Sequence, residues 1–334
     1  MKTLFLYYDP HPAHARLARQ VNAKFFPSPR LKSSKKGIFN FILDSIKISI
    51  AVLTLPRNFD VYLCEGTYII PALAKKMGLI KNAKIINILA SPLLYYLKIG
   101  DISGVKRFFA IQMLREVDEF ICMGKMEEEL LKELLPNAKT IVKYPLPNPD
   151  LVKTLLKTSN LVPKLDSHKL LFIGKQDAYY KGVDLLLDSF KTIKKIWPDA
   201  ELTIIGKITG IEKDPKKMAG VKLLGYVDDI VKPIKEHSLY IHLGRGDAFP
   251  VSVIEAMLGG LPALVSEWTG SKEIICNVDK HLIVPLNKSA ITNGISWYFE
   301  LNHREKITLS NKLFLNAKTL YTNSKNSKFN ILSN

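Results

Sequence analysis

The sequence predicts an α/β fold built from two domains, each with a parallel β-sheet. Short apolar runs recur along the chain and are typical of buried strands. Most of these runs are followed by a loop and then by a segment with helical apolar spacing, which is the order of elements in parallel α/β proteins. The chain has 334 residues, of which 47% are hydrophobic, and this is enough for two hydrophobic cores.

In the first half, strands are predicted over residues 4–8, 60–64, 85–89, 120–123 and 141–144. A helix is expected over residues 13–25, between the first two strands. Polar side chains follow three of the strands, at the ends that parallel strands bring to one edge of a sheet. They are His11 and His14 after the first strand, Glu65 after the second and Ser91 after the third. The two histidines fit a helix start as well as a ligand contact.

Residues 37–55 form an unusually apolar segment whose only charges are Asp44 and Lys47. The segment is too short and too polar to cross a bilayer comfortably. One interpretation is an ordinary helix packed on the N-terminal sheet. The other is an interfacial helix that docks on anionic lipid. The basic residues beside the segment that favour docking are Arg30, Lys32, Lys35, Lys36, Lys47 and Arg57.

A stiff connection with prolines at positions 145, 147 and 149 marks the boundary between the domains. The second domain is expected to open with a strand over residues 169–173. Gly174, Lys175, Lys181 and Gly182 follow, and then a helix over 183–196. Two cations at a strand-to-helix turn can neutralise a diphosphate, and the helix N-terminus adds its dipole. Most single lysines on a surface turn are only solvated.

The stretch 239–275 organises the second domain. A strand is predicted over 239–243, a glycine loop leads to Asp247, and a helix with Ser252 as its N-cap contains Glu255. Gly260 and Pro262 end that helix. An ionised glutamate among apolar neighbours needs a partner, and a hydroxyl-rich ligand can supply one. The alternatives are that Asp247 is a turn residue and that Glu255 is a solvated charge.

This stretch resembles the donor site of retaining GT-B glycosyltransferases, the large glycosyltransferase family 4 with its E-x7-E signature. The family pattern S-x-x-E-G-F-P/G is matched by GRGDAFP at 244–250, followed by EAM at 255–257 and GLP at 260–262. Gly270 and Glu273 match the G-x-x-E that comes next, and Lys181-Gly182 matches an earlier K-G element. The departures are Gly244 for serine, Asp247 for the first glutamate and Ala248 for glycine.

The resemblance implies two Rossmann-like domains that face a central cleft, and transfer of a sugar from a nucleotide-sugar with retention at the anomeric carbon. It implies an acceptor domain over 1–148, onto which residues 303–321 pack back, and a donor domain over 149–302; residues 322–334 are expected to be a flexible tail. The implied catalytic residues are Asp247, Lys181 and Lys175, with Asp247 holding the donor sugar. The implied donor-binding residues are Glu255 on the ribose, Phe249, Val251, Ser252, Gly174, Val227 and Arg245. The acceptor contacts would be His11, His14, Glu65 and Ser91.

The expected partners are a UDP- or GDP-sugar and an acceptor that is a glycan, a lipid or a protein. No metal is expected because no D-x-D motif occurs, and no cofactor beyond the nucleotide-sugar. Three scattered cysteines and no signal peptide or membrane span indicate a cytoplasmic protein, with peripheral contact to an anionic membrane.

Other functions remain open at this stage. A non-catalytic or epimerase-type sugar-nucleotide-binding protein is the main alternative, because Asp247 replaces the family glutamate and the first domain lacks a glycine loop. The net charge of +17 raises a nucleic-acid-binding protein as a further alternative. Dispersed basic residues without interleaved aromatics make nucleic acid the less favoured partner.

Overall fold

A computed structural model describes residues 1–10, 12–29, 38–158, 161–174, 176–210 and 217–326. The chain divides into two compact units. Unit 1 extends from Met1 to Tyr144, and the described part of unit 2 begins at Pro145. Each unit contains a parallel six-stranded sheet with helices around it, and the prediction of two parallel α/β domains is therefore confirmed.

The sheet of unit 1 has the strand order β2-β1-β3-β4-β5-β6. Its strands are β1 (Thr3–Tyr7), β2 (Lys24–Pro27), β3 (Val61–Glu65), β4 (Lys84–Leu89), β5 (Glu119–Cys122) and β6 (Thr140–Val142). Its helices are α1 (Pro12–Gln20), α2 (Ile38–Leu53), α3 (Ile69–Lys76), α4 (Leu93–Ile99), α5 (Gly104–Leu114) and α6 (Lys125–Leu134). The central strands are apolar on both faces because helices cover both sides of the sheet.

Strand β2 was not predicted. The sequence suggested one helix over 13–25, but α1 ends at Gln20 and Asn22 takes a left-handed conformation. The backbone then returns as a short edge strand, and Phe25 packs edge-on against Phe5 of β1. The apolar residues at the end of the predicted helix are therefore sheet residues.

Unit 2 has a main sheet of order β11-β9-β7-β12-β13-β14 and a separate pair of two-residue strands, β8 and β10. The strands are β7 (Lys169–Ile173), β8 (Gln176–Asp177), β9 (Glu201–Ile205), β10 (Ile208–Thr209), β11 (Val221–Gly225), β12 (Leu239–His242), β13 (Ala263–Ser266) and β14 (Ile283–Val284). The helices are α7 (Pro149–Lys157), α8 (Val183–Ile196), α9 (Val231–Glu236), α10 (Val251–Leu258), α11 (Lys288–Glu300) and α12 (His303–Asn326), with 3₁₀ turns at Gly270–Ile274 and Lys280–Leu282. This is the Rossmann strand order 3-2-1-4-5-6.

The C-terminal helix α12 belongs to unit 2, where it packs on α10. That residues 303–321 pack back on the N-terminal domain stays a prediction. Its buried stripe includes Leu309, Leu313 and Ala317, and the Ser310 hydroxyl donates to the Gly260 carbonyl at 2.6 Å. The helix also continues to Asn326, into the predicted flexible tail. The rest of that tail lies outside the described residues.

Candidate functional site

The candidate site lies at the point in the unit 2 sheet where the strand order reverses. Strand β7 is the first strand of the unit, and its neighbours β9 and β12 follow on opposite sides. In open parallel sheets, ligands bind beside the carboxyl ends of the strands at this point. Gly174 directly follows β7, and its N–H donates to the Ile205 carbonyl at 3.0 Å. The loop after β12 carries Asp247 to the same edge.

Lys181, Asp247 and His242 form a buried cluster at this edge. The Lys181 Nζ atom lies 2.7 Å from Asp247 Oδ2, and the His242 Nε2 atom lies 2.7 Å from the same oxygen. The three side chains are only 14%, 9% and 1% exposed. Lys181 comes from the turn before α8, whereas His242 ends β12, so the fold joins two segments that are far apart in sequence.

The cluster contains one ion pair and one neutral histidine. Burial alone would raise the pKa of Asp247, but the Lys181 ammonium and the His242 hydrogen bond outweigh it and hold that pKa well below its usual range. Burial lowers the pKa of His242, and the hydrogen bond to Asp247 opposes this only in part. The uncharged imidazole therefore donates its Nε2–H to an ionised carboxylate.

Arg245, which the sequence suggests as a donor contact, makes several contacts within the protein. Its guanidinium forms a two-pronged ion pair with Asp184 at the start of α8, at 2.8 and 2.9 Å. The same group stacks over the Tyr179 ring at 3.9 Å and donates to the Tyr179 carbonyl. Arg245 is 7% exposed. Its contacts tie the loop after β12 to the start of α8, and its role as a donor contact stays a prediction.

Helix α10 begins beside this loop. Its N-cap is Pro250 and not Ser252, which lies inside the first turn. The N–H groups of Val251 and Ser252 are at the open end of the helix, where backbone geometry leaves them without an intrahelical acceptor. The Ser252 Oγ atom is 2.8 Å from the Tyr240 hydroxyl, which also lies 3.1 Å from the Ile173 carbonyl. The buried ring of Phe249 precedes the proline.

Glu255 lies one turn further along α10 and remains partly exposed. Within the described residues, the Glu255 carboxylate has no hydrogen-bond or ion-pair partner. Burial raises the pKa of Glu255 to about 7. A carboxylate that is largely desolvated and lacks a protein partner destabilises the fold. Groups with pKa values shifted by burial in this way are typical of ligand-binding sites.

The remaining predicted residues have mixed outcomes. Lys175 and His11 lie outside the described residues. Val227 follows β11, two strands away from β7, and is partly exposed. In unit 1, the His14 Nδ1 atom lies 2.7 Å from Glu65 Oε1, where the strand order of that sheet also reverses. Ser91 follows the next strand, β4.

His242 is the member of the site that sequence reasoning missed. It sits in the run LYIHL, which reads as a buried strand, and a lone histidine there resembles a core residue. The available signal was its position at the last residue of the strand, five residues before Asp247. Strand ends at the reversal point face the site, whereas strand interiors face the core.

The described residues contain no group of three or more histidine, cysteine, aspartate or glutamate side chains that could hold a metal ion. Among the same residues, no helix combines the length and the apolar character needed to cross a membrane.

Solved structures share this architecture over nearly the whole chain. Anabaena Alr3699/HepE in complex with UDP-glucose is 16% identical, with a TM-score of 0.66 over 97% of this chain and 98% of that one. Sucrose-phosphate synthase from Thermosynechococcus elongatus is 15% identical, with a TM-score of 0.65 over 96% and 95%. The chain has the GT-B fold. At these identities the likeness concerns the fold alone.

Sequence comparisons match part of the chain. Residues 167–300 match the family described as glycosyl transferases group 1. A phosphatidyl-myo-inositol mannosyltransferase of Mycobacterium leprae is 28% identical over 129 residues, which is 36% of this chain and 34% of that protein. An uncharacterized glycosyltransferase of Haemophilus influenzae is 27% identical over 167 residues, or 47% and 44%. The matched segments thus span between a third and a half of these relatives.

Proposed function

We propose that the chain is a glycosyltransferase of the hexosyltransferase type that uses a nucleoside diphosphate sugar and retains the anomeric configuration. The observation that carries this proposal is the buried Lys181–Asp247 ion pair at the sheet reversal point, together with the Glu255 carboxylate, which has no partner among the residues that the structure describes. The match of residues 167–300 to glycosyl transferases group 1 supports the same reading. The family 4 assignment and the retaining outcome rest on the sequence resemblance.

The chemistry assigned to the site is stabilisation of a leaving diphosphate. The bond between the anomeric carbon and the diphosphate oxygen breaks, and a bond from the acceptor oxygen forms on the same face. The acceptor proton passes to the departing diphosphate. Lys181 and the N–H groups of Val251 and Ser252 offset the charge that develops on the phosphate. Glu255 accepts hydrogen bonds from the ribose hydroxyls. We assign no step to a metal ion.

The donor is proposed to be a UDP-sugar in the first instance and a GDP-sugar in the second. Two of the solved structures with this fold, Anabaena Alr3699/HepE and an E. coli trehalose-6-phosphate structure, are bound with UDP-glucose and UDP-2-fluoro glucose. The test is a thermal shift of the purified protein with UDP, GDP, ADP and dTDP, because a bound ligand stabilises the folded state by mass action. A shift with one nucleotide that disappears in Lys181→Ala and Glu255→Ala supports the proposal. No shift with any of them, in folded protein, rejects it.

Glu255 gives the site a measurable pH signature. Its pKa of about 7 in the folded chain exceeds the unfolded value of about 4.5. Its contribution to the free energy of unfolding is therefore complete below pH 4.5 and is lost as pH rises towards 7, by about 3 kcal/mol. We expect Glu255→Gln to be as stable as wild type at pH 4 and more stable at pH 8, and to bind nucleotide weakly.

Urea unfolding, monitored by tryptophan fluorescence, measures the pH dependence of the free energy of unfolding of unit 2, which contains Glu255. All three tryptophans, Trp197, Trp268 and Trp297, lie in unit 2. Glu267→Gln, at an exposed position of the same unit, is the control and should track wild type at both pH values. A Glu255→Gln variant that is less stable than wild type at pH 8 would contradict a functional, unpartnered carboxylate and indicate a structural one.

The acceptor is proposed to be membrane-borne, with the protein peripheral at the cytoplasmic membrane face. Helix α2 carries Ile46, Ile50 and Leu53, which are 50%, 56% and 62% exposed and recur at helical spacing on one face. Lys47 and Arg57 are the nearby basic residues within the described part of the chain. A similar relative is named for phosphatidyl-myo-inositol. An apolar face flanked by cations fits an anionic bilayer surface.

We expect the triple variant Ile46→Ser, Ile50→Ser and Leu53→Ser to reduce cosedimentation with phosphatidylglycerol vesicles by at least about tenfold, because three apolar side chains no longer enter the interface. Wild type should bind phosphatidylcholine vesicles much less well than phosphatidylglycerol vesicles. Nucleotide binding should stay unchanged.

The matched control replaces three equally exposed apolar residues of unit 2, Ile196, Leu224 and Leu315, by serine. If both triple variants lose the same amount of vesicle binding, the surface of α2 has no special role. If neither loses any, the membrane proposal for this helix is wrong.

A further inference from the structure

Three residues that depart from expectation lie together at the site. Gly244 and Asp247 stand where the resembling pattern has serine and glutamate, and His242 is the residue that sequence reasoning missed. A Cβ atom on residue 244 would lie 2.7 Å from Asp247 Cβ and 3.1 Å from His242 Nε2. Real Cβ atoms do not approach other atoms to 2.7 Å, so only glycine leaves room for His242 to meet Asp247. The two departures and the histidine are therefore linked sterically, because glycine at position 244 is needed for the contact between His242 and Asp247.

The surroundings of His242 fix its protonation and its direction. Its ring is nearly parallel to two aromatic rings, that of Phe172 at a centroid distance of 5.9 Å and an angle of 13°, and that of Tyr240 at 6.5 Å and 10°. Its Nδ1 atom is buried and has no hydrogen-bond partner in the part of the chain that the structure describes. A neutral imidazole carries one N–H, and the nitrogen with an acceptor in reach is Nε2. His242 is thus a rigid single donor aimed at Asp247 Oδ2.

We propose that His242, Gly244 and Asp247 act as one unit, the carboxylate clamp, which positions the Lys181 ammonium for the donor diphosphate. In this assignment Asp247 does not hold the donor sugar, which is the role that the resemblance gave it. His242 and Asp247 are positioning residues, because they act through Lys181. This inference rests on the proposed function, since it needs a diphosphate as the ligand of Lys181.

The clamp would limit the conformational freedom of the Lys181 side chain before a ligand binds. A lysine ammonium is a point charge at the end of a flexible side chain, and this side chain loses conformational freedom when a ligand binds. A carboxylate fixed by a rigid donor holds the ammonium in place before the ligand arrives. An aspartate is one methylene shorter than a glutamate, and both described contacts of Asp247 use its Oδ2 atom. The shorter side chain keeps the carboxylate between His242 and Lys181.

The first test compares two ligands with one variant. We measure the Kd of UDP and of UDP-glucose by titration calorimetry for wild type and Asp247→Asn, and GDP with GDP-mannose if wild type prefers guanine. Under the clamp, the ratio of the two Kd values stays within about twofold of wild type, because both ligands present a diphosphate to Lys181 and the clamp does not contact the sugar. If Asp247 holds the sugar, the ratio rises about tenfold or more, since a hydrogen bond to a charged group is lost only with the sugar ligand.

The second test asks whether the donor atom of His242 matters. A glutamine amide can occupy the position of Nε2, whereas leucine cannot donate a hydrogen bond. We expect His242→Leu to weaken UDP binding about tenfold and His242→Gln to bind within about twofold of wild type. Gly244→Ala should behave like His242→Leu, because its Cβ separates the histidine from the aspartate.

A matched histidine separates positioning from general support of the fold. His237 is also buried in unit 2, and its two nitrogens contact the Pro233 carbonyl at 2.6 Å and Thr203 at 2.8 Å, away from the site loop. His237→Leu should lower stability and leave the Kd of UDP unchanged. If it weakens UDP binding as much as His242→Leu does, or if His242→Gln fails to rescue binding, the clamp is overturned. Absence of binding to wild-type protein by any nucleotide rejects the proposed function instead.

Discussion

Replacing Lys181 by alanine is expected to reduce sugar transfer by about a thousandfold and to destabilise unit 2 at the same time. The loss of transfer follows because one preorganised cation on a developing anion contributes about 10²–10³ in rate. The loss of stability follows because Asp247 is 6% exposed and would keep its charge with His242 as its remaining described donor. Breaking a buried ion pair from one side typically costs about 3–5 kcal/mol.

The two effects can be separated with a second substitution. The double variant Lys181→Ala with Asp247→Asn lacks the unpaired negative charge of Asp247. Much of the stability should therefore return, while sugar transfer stays low. Lys191→Ala is the control on the same chain segment, because its ion pair with Asp188 is exposed and should contribute little. Tryptophan fluorescence during urea unfolding gives stability, and release of the nucleoside diphosphate gives turnover. If Lys181→Ala transfers sugar at a rate within tenfold of wild type, Lys181 has no major role in the catalytic step.

The fold was predictable because its signals are local and repeated. The runs around β7, β9, β12 and β13 are apolar on both faces, and each is followed by glycine or a polar loop, so strand and helix order could be read directly. The donor motif fixed Lys181, Asp247 and Glu255 as members of one site before any geometry was known. In the structure Lys181 Nζ lies 2.7 Å from Asp247 Oδ2, and the functional roles of the three residues stay proposals.

What could not be predicted depends on contacts between distant segments. The sequence suggested that Arg245 contacts a ligand. Nothing in the sequence indicates that Asp184, which lies 61 residues away, accepts hydrogen bonds from both terminal nitrogens of its guanidinium. The packing of α12 on α10 is of the same kind, because the apolar stripe of α12 has no preference for one domain. Helix α7 was not predicted, because its polar composition hides Val152 and Leu155, the two residues that it buries.

Gly182→Ala is expected to be among the most damaging single substitutions in unit 2. Gly182 is the N-cap of α8 and has a φ of +70°, in the left-handed region that side chains disfavour. A Cβ atom there would lie 1.9 Å from the Leu243 carbonyl oxygen and 2.5 Å from its carbon. The obstacle is backbone, so no rotamer change relieves it. We expect the free energy of unfolding of unit 2 to fall by about 4 kcal/mol.

Gly225→Ala isolates the part of this effect that comes from backbone conformation. Gly225 has a φ of +66°, almost the same as Gly182, but a Cβ atom on it would meet nothing within 4 Å. Its alanine variant should lose only about 1–2 kcal/mol, the usual cost of a left-handed side-chain residue. The difference between the two variants, measured by tryptophan fluorescence during urea unfolding, is the steric cost of pushing Leu243 away. Leu243 lies between His242 and Gly244, so any Gly182→Ala protein that still folds should also lose the His242–Asp247 contact and bind UDP weakly. Equal destabilisation by both variants would mean that α8 and the loop after β12 are not held as closely as their geometry indicates.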